Sequence, residues 1–297
     1  MATEHTQNGA AGRHDLDIAG ALERDEIDVH FQPKVDLRSA RVLGVEALAR
    51  WSHPGMGLLS AAGFIDAVRP GSQMRALTER VIEISTRAAG DWWRSGLHLQ
   101  LSVNLPAEDL SAPDWALDTF VSSSLSAAGL PGEAIQFEVT EEALLRNSDL
   151  AGGTLERLTA LGGALSIDDF GTGHFSLRQL IDLPIEELKI DRVLIAGLED
   201  EKDKMIARAI IHLAHQIGLP VVAEGVENRD TWQQLRSMGC ERAQGFLIAK
   251  PLPSREVPAW LAAWNHRARE LSSTKRRLQR QSKAAPKRVT APAEATA

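Results

Sequence analysis

Cysteine is nearly missing from this chain, with Cys240 alone among 297 residues. One thiol closes no internal disulfide, so any fold must rest on packing. Long apolar runs are missing too: the best are short pieces such as Ile217 to Ala223, broken by Gly and Pro, far from the ~20 residues that cross a bilayer. The opening residues MATEHTQNGA are polar and lack the basic-then-apolar order of a secretory leader. These absences argue against an integral membrane protein and point to the cytoplasm. With 43% hydrophobic residues, 23 Gly and 13 Pro, the composition is that of a globular protein, not a collagen-like, mucin-like or prion-like chain.

What is present is unevenly charged. From Arg267 to the end nine basic side chains face two acidic ones, a charge of +7, so the preceding residues carry −14 of the net −7. The acidic body disfavours non-specific nucleic-acid binding. The Ala/Pro/Ser-rich basic tail is expected to be disordered and is a candidate contact for anionic lipid, nucleic acid or a partner protein. The reading divides the chain into a floppy start (1–17), a folded body (18–266) and the tail (267–297).

Within the body, short β-branched runs alternate with helical ones. Strands are expected at 27–37 and 41–51, joined by a tight turn at Arg38-Ser39-Ala40, then at 97–105, 134–140, 164–168, 186–190, 219–224 and 241–246. Helices are expected at 73–94, 116–128, 154–161, 202–217, 231–238 and 257–264, four of them stopping at Gly129, Gly162, Gly218 and Gly239. Seven to eight such units in roughly 245 residues fit a closed α/β barrel better than an open doubly wound sheet.

The polar residues fall at the strand ends: Glu46, Asn104, Glu138, Asp168 with Asp169, Lys189, Glu224 and Gln244, each on a different unit. In a parallel barrel the strand C-termini share one face, so residues remote in sequence converge there. Any one of these carboxylates alone is as readily a helix N-cap or a solvated loop residue. Four acids on one rim (Glu46, Glu138, Asp168, Glu224) repel unless a cation sits among them. An all-oxygen donor set without His or Cys suits Mg²⁺ or Mn²⁺ rather than Zn²⁺, and adjacent Asp168 and Asp169 suit a bridged pair of ions about 3.5–4 Å apart, the arrangement of phosphodiester hydrolysis.

The segments FQPKVDL and GVEALARW, followed in order by SVNL, FEVTE, DDFGTG, LKID, VVAEGVE and QGF…KPL, resemble the EAL domain family of cyclic di-guanylate phosphodiesterases from about Val29 to Leu261. The resemblance implies a modified TIM (β/α)8 barrel with one antiparallel strand and hydrolysis of cyclic di-GMP to linear pGpG with two Mg²⁺ or Mn²⁺ ions. It assigns one metal to Glu46, Asn104, Glu138 and Asp168, and the second to Asp168, Asp169 and Glu224. Lys189 would hold the attacking water, with Glu224 as candidate base, ligand or both. Gln32, Arg50 and Gln244 would contact substrate. Glu141 would brace the DDFGTG loop, and Asp191 and Glu227 would support the ligands. Homodimerisation also follows from the resemblance. After DDFGTG the chain reads His174-Phe175-Ser176 in place of the usual Tyr-Ser-Ser, which bears on rate and regulation.

Other motifs are weaker. Gly171-Thr172-Gly173 has no P-loop lysine behind it, and neither Gly-Gly pair is followed by the Asp-Glu-Phe of a cyclase. Trp92-Trp93 and Trp260 with Trp264 read as packing, and His212 with His215 as a partly exposed helix face without a third ligand. A catalytically silent receptor for cyclic di-GMP is the alternative to the enzyme.

Overall fold

The computed structural model describes residues 16–268 apart from 69–72, 147, 172–179 and 181–182. One sheet holds ten strands: β1 Ile27–Asp36, β2 Val42–His53, β3 Gly57–Ser60, β4 Gln100–Asn104, β5 Ile135–Thr140, β6 Ala164–Phe170, β7 Glu187–Ile190, β8 Val221–Ala223, β9 Arg242–Gln244 and β10 Leu252–Pro253. Strand β1 pairs with β2 on one side and β9 on the other, so eight strands close into a ring in the order β1-β2-β4-β5-β6-β7-β8-β9. Both pairings of β1 are antiparallel, whereas every other pairing in the ring is parallel. This is the expected barrel with one antiparallel strand. Strands β3 and β10 are short additions to β2 and β1.

The first hairpin turns where expected because Asp36 caps it. Its Oδ1 accepts from the backbone amides of Arg38 (3.1 Å) and Ser39 (2.6 Å), and Ala40 takes a positive φ of 57°. The hairpin from β2 into β3 through Pro54 to Met56 was not anticipated. Strands expected at 97–105, 219–224 and 241–246 are shorter, Gln100–Asn104, Val221–Ala223 and Arg242–Gln244, because the ladder pairing reaches only those residues. The helix expected at 154–161 begins at Ser148, and short helices at Ala61–Val68, Ala107–Leu110, Glu141–Arg146 and Arg192–Ala196 were too brief to show a period. Gly129, Gly162, Gly218 and Gly239 all have positive φ, which is why the helices before them stop there. At the start, Asp17 belongs to the folded body: its Oδ1 accepts from Gly20 at 2.9 Å and caps the helix Ile18–Glu23. Residues 1–15 and 269–297, which include nearly all of the basic tail, lie outside the described residues.

Apolar packing sits between the ring and the surrounding helices. The long helix Gln73–Arg94 buries Leu77, Ile82, Ala89 and Trp92, with Trp92 edge-on to Phe31 at 4.9 Å. The final helix, 257–268, stacks Trp260 on Trp264 at 5.4 Å, and the Trp264 indole donates to the Ala40 carbonyl at 2.8 Å. These tryptophans are packing residues, as expected. His212 and His215 are exposed, and His215 Nε2 lies 2.8 Å from Glu241 Oε1. Among the described residues no helix is long and apolar enough to cross a membrane.

Inside the ring the side chains are polar instead. Because successive strand residues alternate faces, Ser102, Gln136, Ser166, Glu187 and Arg242 point inward one layer below the strand ends, with Lys34 from the antiparallel β1 among them. Lys34 Nζ donates to Gln136 Oε1 and Glu187 Oε1, each at 2.6 Å; Ser102 also donates to Gln136, at 2.8 Å, and Arg242 pairs with the other Glu187 oxygen. Gly44 is the inward residue of β2 in this layer, and a Cβ there would lie 2.4 Å from the Gln100 carbonyl oxygen.

Candidate functional site

One inward position above that layer, the strands deliver Gln32, Glu46, Asn104, Glu138, Asp168, Lys189 and Gln244, and the residue after β8 delivers Glu224. Register explains the convergence: Glu46 lies opposite Gln32, and Asn104 opposite Glu138. Asp168 and Asp169 would face opposite ways in a regular strand. The β6–β7 register shifts between Ile167 and Phe170, and Asp169 takes φ 55°. This bulge turns both carboxylates to one side. The left-handed backbone at a non-glycine residue is a strained conformation, costing of order 1–3 kcal/mol, retained at the site.

Lys189, fully buried, is the hub. Its Nζ lies 2.6 Å from Glu224 Oε1, 2.7 Å from Glu138 Oε2, 3.1 Å from Asp168 Oδ1 and 3.7 Å from Glu46 Oε2. Glu46 accepts from Asn104 Nδ2 at 2.8 Å and from Gln244 Nε2, which also donates to Gln32 Oε1 at 3.1 Å. Gln32 in turn donates to the Ala249 carbonyl at 3.1 Å. Oxygens of Glu46, Glu138 and Asp168 lie within 4.8 Å of one another, and so do those of Asp168, Asp169 and Glu224.

The electrostatics are those of too many anions in a dry space. Burial and then the neighbouring charges of Glu46 and Asp168, outweighing Lys189, push Glu138 up to about 8. Burial, then Asp168 and Asp191, raise Asp169 to about 6, and burial raises Glu224 well above the carboxylate range. Glu46 is the exception: burial would raise it, but Lys189 and the hydrogen bonds from Asn104 and Gln244 hold it below its ordinary value. Burial opposes the Lys189 charge, yet its carboxylates hold the ammonium far above its usual range. Glu138 Oε1 is buried without a hydrogen-bond partner. An orphaned carboxylate oxygen beside two all-oxygen triads fits a hard divalent cation, with Glu46, Glu138 and Asp168 to hold one ion and Asp168, Asp169 and Glu224 a second.

The remaining expected residues are placed as follows. Arg50 is half-buried at the mouth, its Nη1 2.8 Å from the Ala49 carbonyl, and it makes no ion pair among the described residues. Asp191 caps the helix Arg192–Ala196, accepting from Val193 at 2.8 Å, and contacts Asp169. Glu141 is buried at the start of the helix following β5, but Thr172 to Phe175, the rest of the loop it would brace, lie outside the described residues. Glu227 is exposed on the loop after β8, outside the carboxylate group.

Two features escaped the sequence reading. One is the lower layer around Lys34 and Glu187, which the period-2 alternation Gln-Phe-Glu, Glu-Leu-Lys and Arg-Ala-Gln could have revealed. The other is a cavity of about 260 Å³ beside the Asn104–Glu138 edge, lined by Leu48, Ile65, Met74, Leu77 and Pro106. Its residues come from elements distant in sequence, so no motif announces it.

Comparison with known proteins agrees with this geometry. The family model described as EAL domain matches residues 15–251. A protein of Pseudomonas aeruginosa named cyclic di-GMP phosphodiesterase PA2567 is 35% identical over 235 residues, which are 78% of this chain and 39% of that protein. Cyclic di-GMP phosphodiesterase PdeR of Escherichia coli is 33% identical over 86% of this chain and 38% of its own length. The chain thus spans between a third and two fifths of the length of these relatives. Among solved structures, the PaMucR phosphodiesterase in complex with c-di-GMP superposes with a TM-score of 0.78 at 37% identity, covering 81% of this chain and 98% of that one. With the Glu46-Ala47-Leu48 tripeptide on β2, the barrel with its reversed first strand and the carboxylates at one mouth, the chain belongs to the EAL domain family.

Proposed function

We propose that this chain is a metal-dependent phosphodiesterase that opens cyclic di-GMP to linear pGpG. The observation that carries the reading is the paired oxygen triad at the barrel mouth, sharing Asp168 and containing the unpartnered Glu138 Oε1. Two Mg²⁺ or Mn²⁺ ions held there would supply a water of lowered pKa and offset the phosphate charge. The chain's own residues do the rest. Glu46, Asn104 and Glu138 would hold one ion, Asp168 would serve both, and Asp169 and Glu224 would complete the second. The Lys189 ammonium would donate to the attacking water, and Glu224, whose Oε1 lies 2.6 Å from that ammonium, would take its proton. Arg50, which pairs with no carboxylate among the described residues, suits a phosphate oxygen pair. Gln244 and Gln32, already hydrogen-bonded to each other and to the cage, would fix the ligand edge. The apolar cavity beside Asn104 is large enough for one purine base. Glu141, Asp191 and Glu227 would support the loops, a second copy of the chain is a further partner, and the cytoplasm is the proposed compartment.

Hydrolysis of cyclic di-GMP in Mg²⁺ or Mn²⁺, its loss in chelator and its inhibition by Ca²⁺, which prefers longer bonds and more ligands, are the expected results. Binding of the nucleotide without turnover at saturating metal would instead establish a silent receptor. Full turnover in excess chelator would remove the metal assignment.

A further inference from the structure

The ammonium of Lys189 occupies the position that a cation in this cage needs. It reaches all three acids of the first triad and two of the second, at 2.6 to 3.7 Å, and it lies on the seam the triads share at Asp168. Among the described residues no other cation pairs with these acids: Lys34, the next buried ammonium, is tied one layer below by Gln136 and Glu187. Five carboxyl groups crowd around one ammonium, and among the described residues Lys189 is the one cation in direct ion-pair contact with them. A divalent ion entering the cage competes with it for the same oxygens.

We propose that Lys189 is the resident counter-cation of the metal-free site, bracing the carboxylates in place and lowering the affinity of the cage for divalent ions by competing with them. This rests on the divalent-ion reading above and adds to it. A lysine that only oriented a water would leave metal affinity unchanged on removal. A lysine that competes makes the cage bind metal more tightly when its charge is gone, even as turnover is lost.

The test is a calorimetric titration with Mn²⁺ alone, without nucleotide, on the full chain and on Lys189→Met and Lys189→Gln. Both variants are expected to bind Mn²⁺ at least about tenfold more tightly than the wild type, because a unit charge at ~4 Å is among the largest local terms in a partly dry site. Their melting temperatures in chelator are expected to fall, and Mn²⁺ is expected to raise them by more than it raises the wild type. The glutamine variant keeps hydrogen-bonding capacity and serves if the methionine variant does not fold; if both fold only with Mn²⁺ present, the bracing role is supported directly. Equal or weaker Mn²⁺ binding in folded variants would overturn the proposal while leaving the metal reading intact. A wild type that takes up no Mn²⁺ would overturn that reading and this inference with it.

Discussion

Two polar layers lie one above the other inside the same barrel, built by the same alternation of strand residues, and they are charged in opposite spirit. The lower holds one carboxylate, Glu187, between two cations, Lys34 and Arg242; burial would raise its pKa, but those charges keep it below the ordinary value. The upper holds Glu46, Glu138, Asp168, Asp169 and Glu224 against Lys189, the one cation paired with them among the described residues, and burial with mutual repulsion raises Glu138, Asp169 and Glu224. Balanced buried charge closes a structure. Charge left unbalanced costs stability and is retained where a ligand of opposite sign completes it.

The comparison breaks most visibly at Glu46. Glu46→Gln keeps the hydrogen-bonding shape but removes a ligand charge, so turnover of cyclic di-GMP should fall by roughly 10³-fold or more, with the metal-free melting temperature unchanged or higher. A matched loss from Glu→Gln on an exposed helix face would show that the assay reports folding instead. Next in size, Glu187→Ala in the lower layer should cost about 3–5 kcal/mol of stability, since it strands the buried Lys34 ammonium. Urea unfolding measures this; a variant as stable as the wild type would mean that the lower layer is not a structural lock.

A smaller effect separates the layers by pH. Glu138 (about 8) and Asp169 (about 6) have folded-state values above those of the unfolded chain. The folded form therefore holds the extra protons, and the stability they contribute is present below the ordinary carboxylate range and lost progressively as pH rises from that range, through about 6, to about 8. Melting of the metal-free protein should drop by roughly 5 °C across that window. Mn²⁺ should flatten the profile, and a flat profile in chelator would refute the crowding argument. Least of all, deletion of residues 272–297 should leave the rate on free nucleotide within a factor of about two, ~0.4 kcal/mol in barrier, while removing any low-salt retention on anionic vesicles or DNA. A large fall in rate with the barrel intact would bring the tail into the active assembly.

Much of the site was legible because a barrel maps one-dimensional order onto a ring. Each polar residue at the end of an apolar run, Asn104 after LQLSV or Glu138 after IQF, had to arrive at the same face once the strands were parallel. Helix stops were legible for a local reason: glycine adopts the left-handed turn that other residues resist. Other features had no local signature. Lys34 and Glu187 are 153 residues apart and read in the sequence as two ordinary charged strand residues.

Composition, the alternation of strand and helix and the ordered motifs by themselves determined the fold class, the direction of β1 and the identity of the carboxylates, because these follow from local geometry and from resemblance. Only the tertiary structure decided how the charges are shared. The bulge at Asp169, the placement of Lys189 among four acids and the closure of the lower layer around Glu187 depend on distances between strands. Electrostatic energy in a buried space is set by those separations, which no single stretch of chain contains.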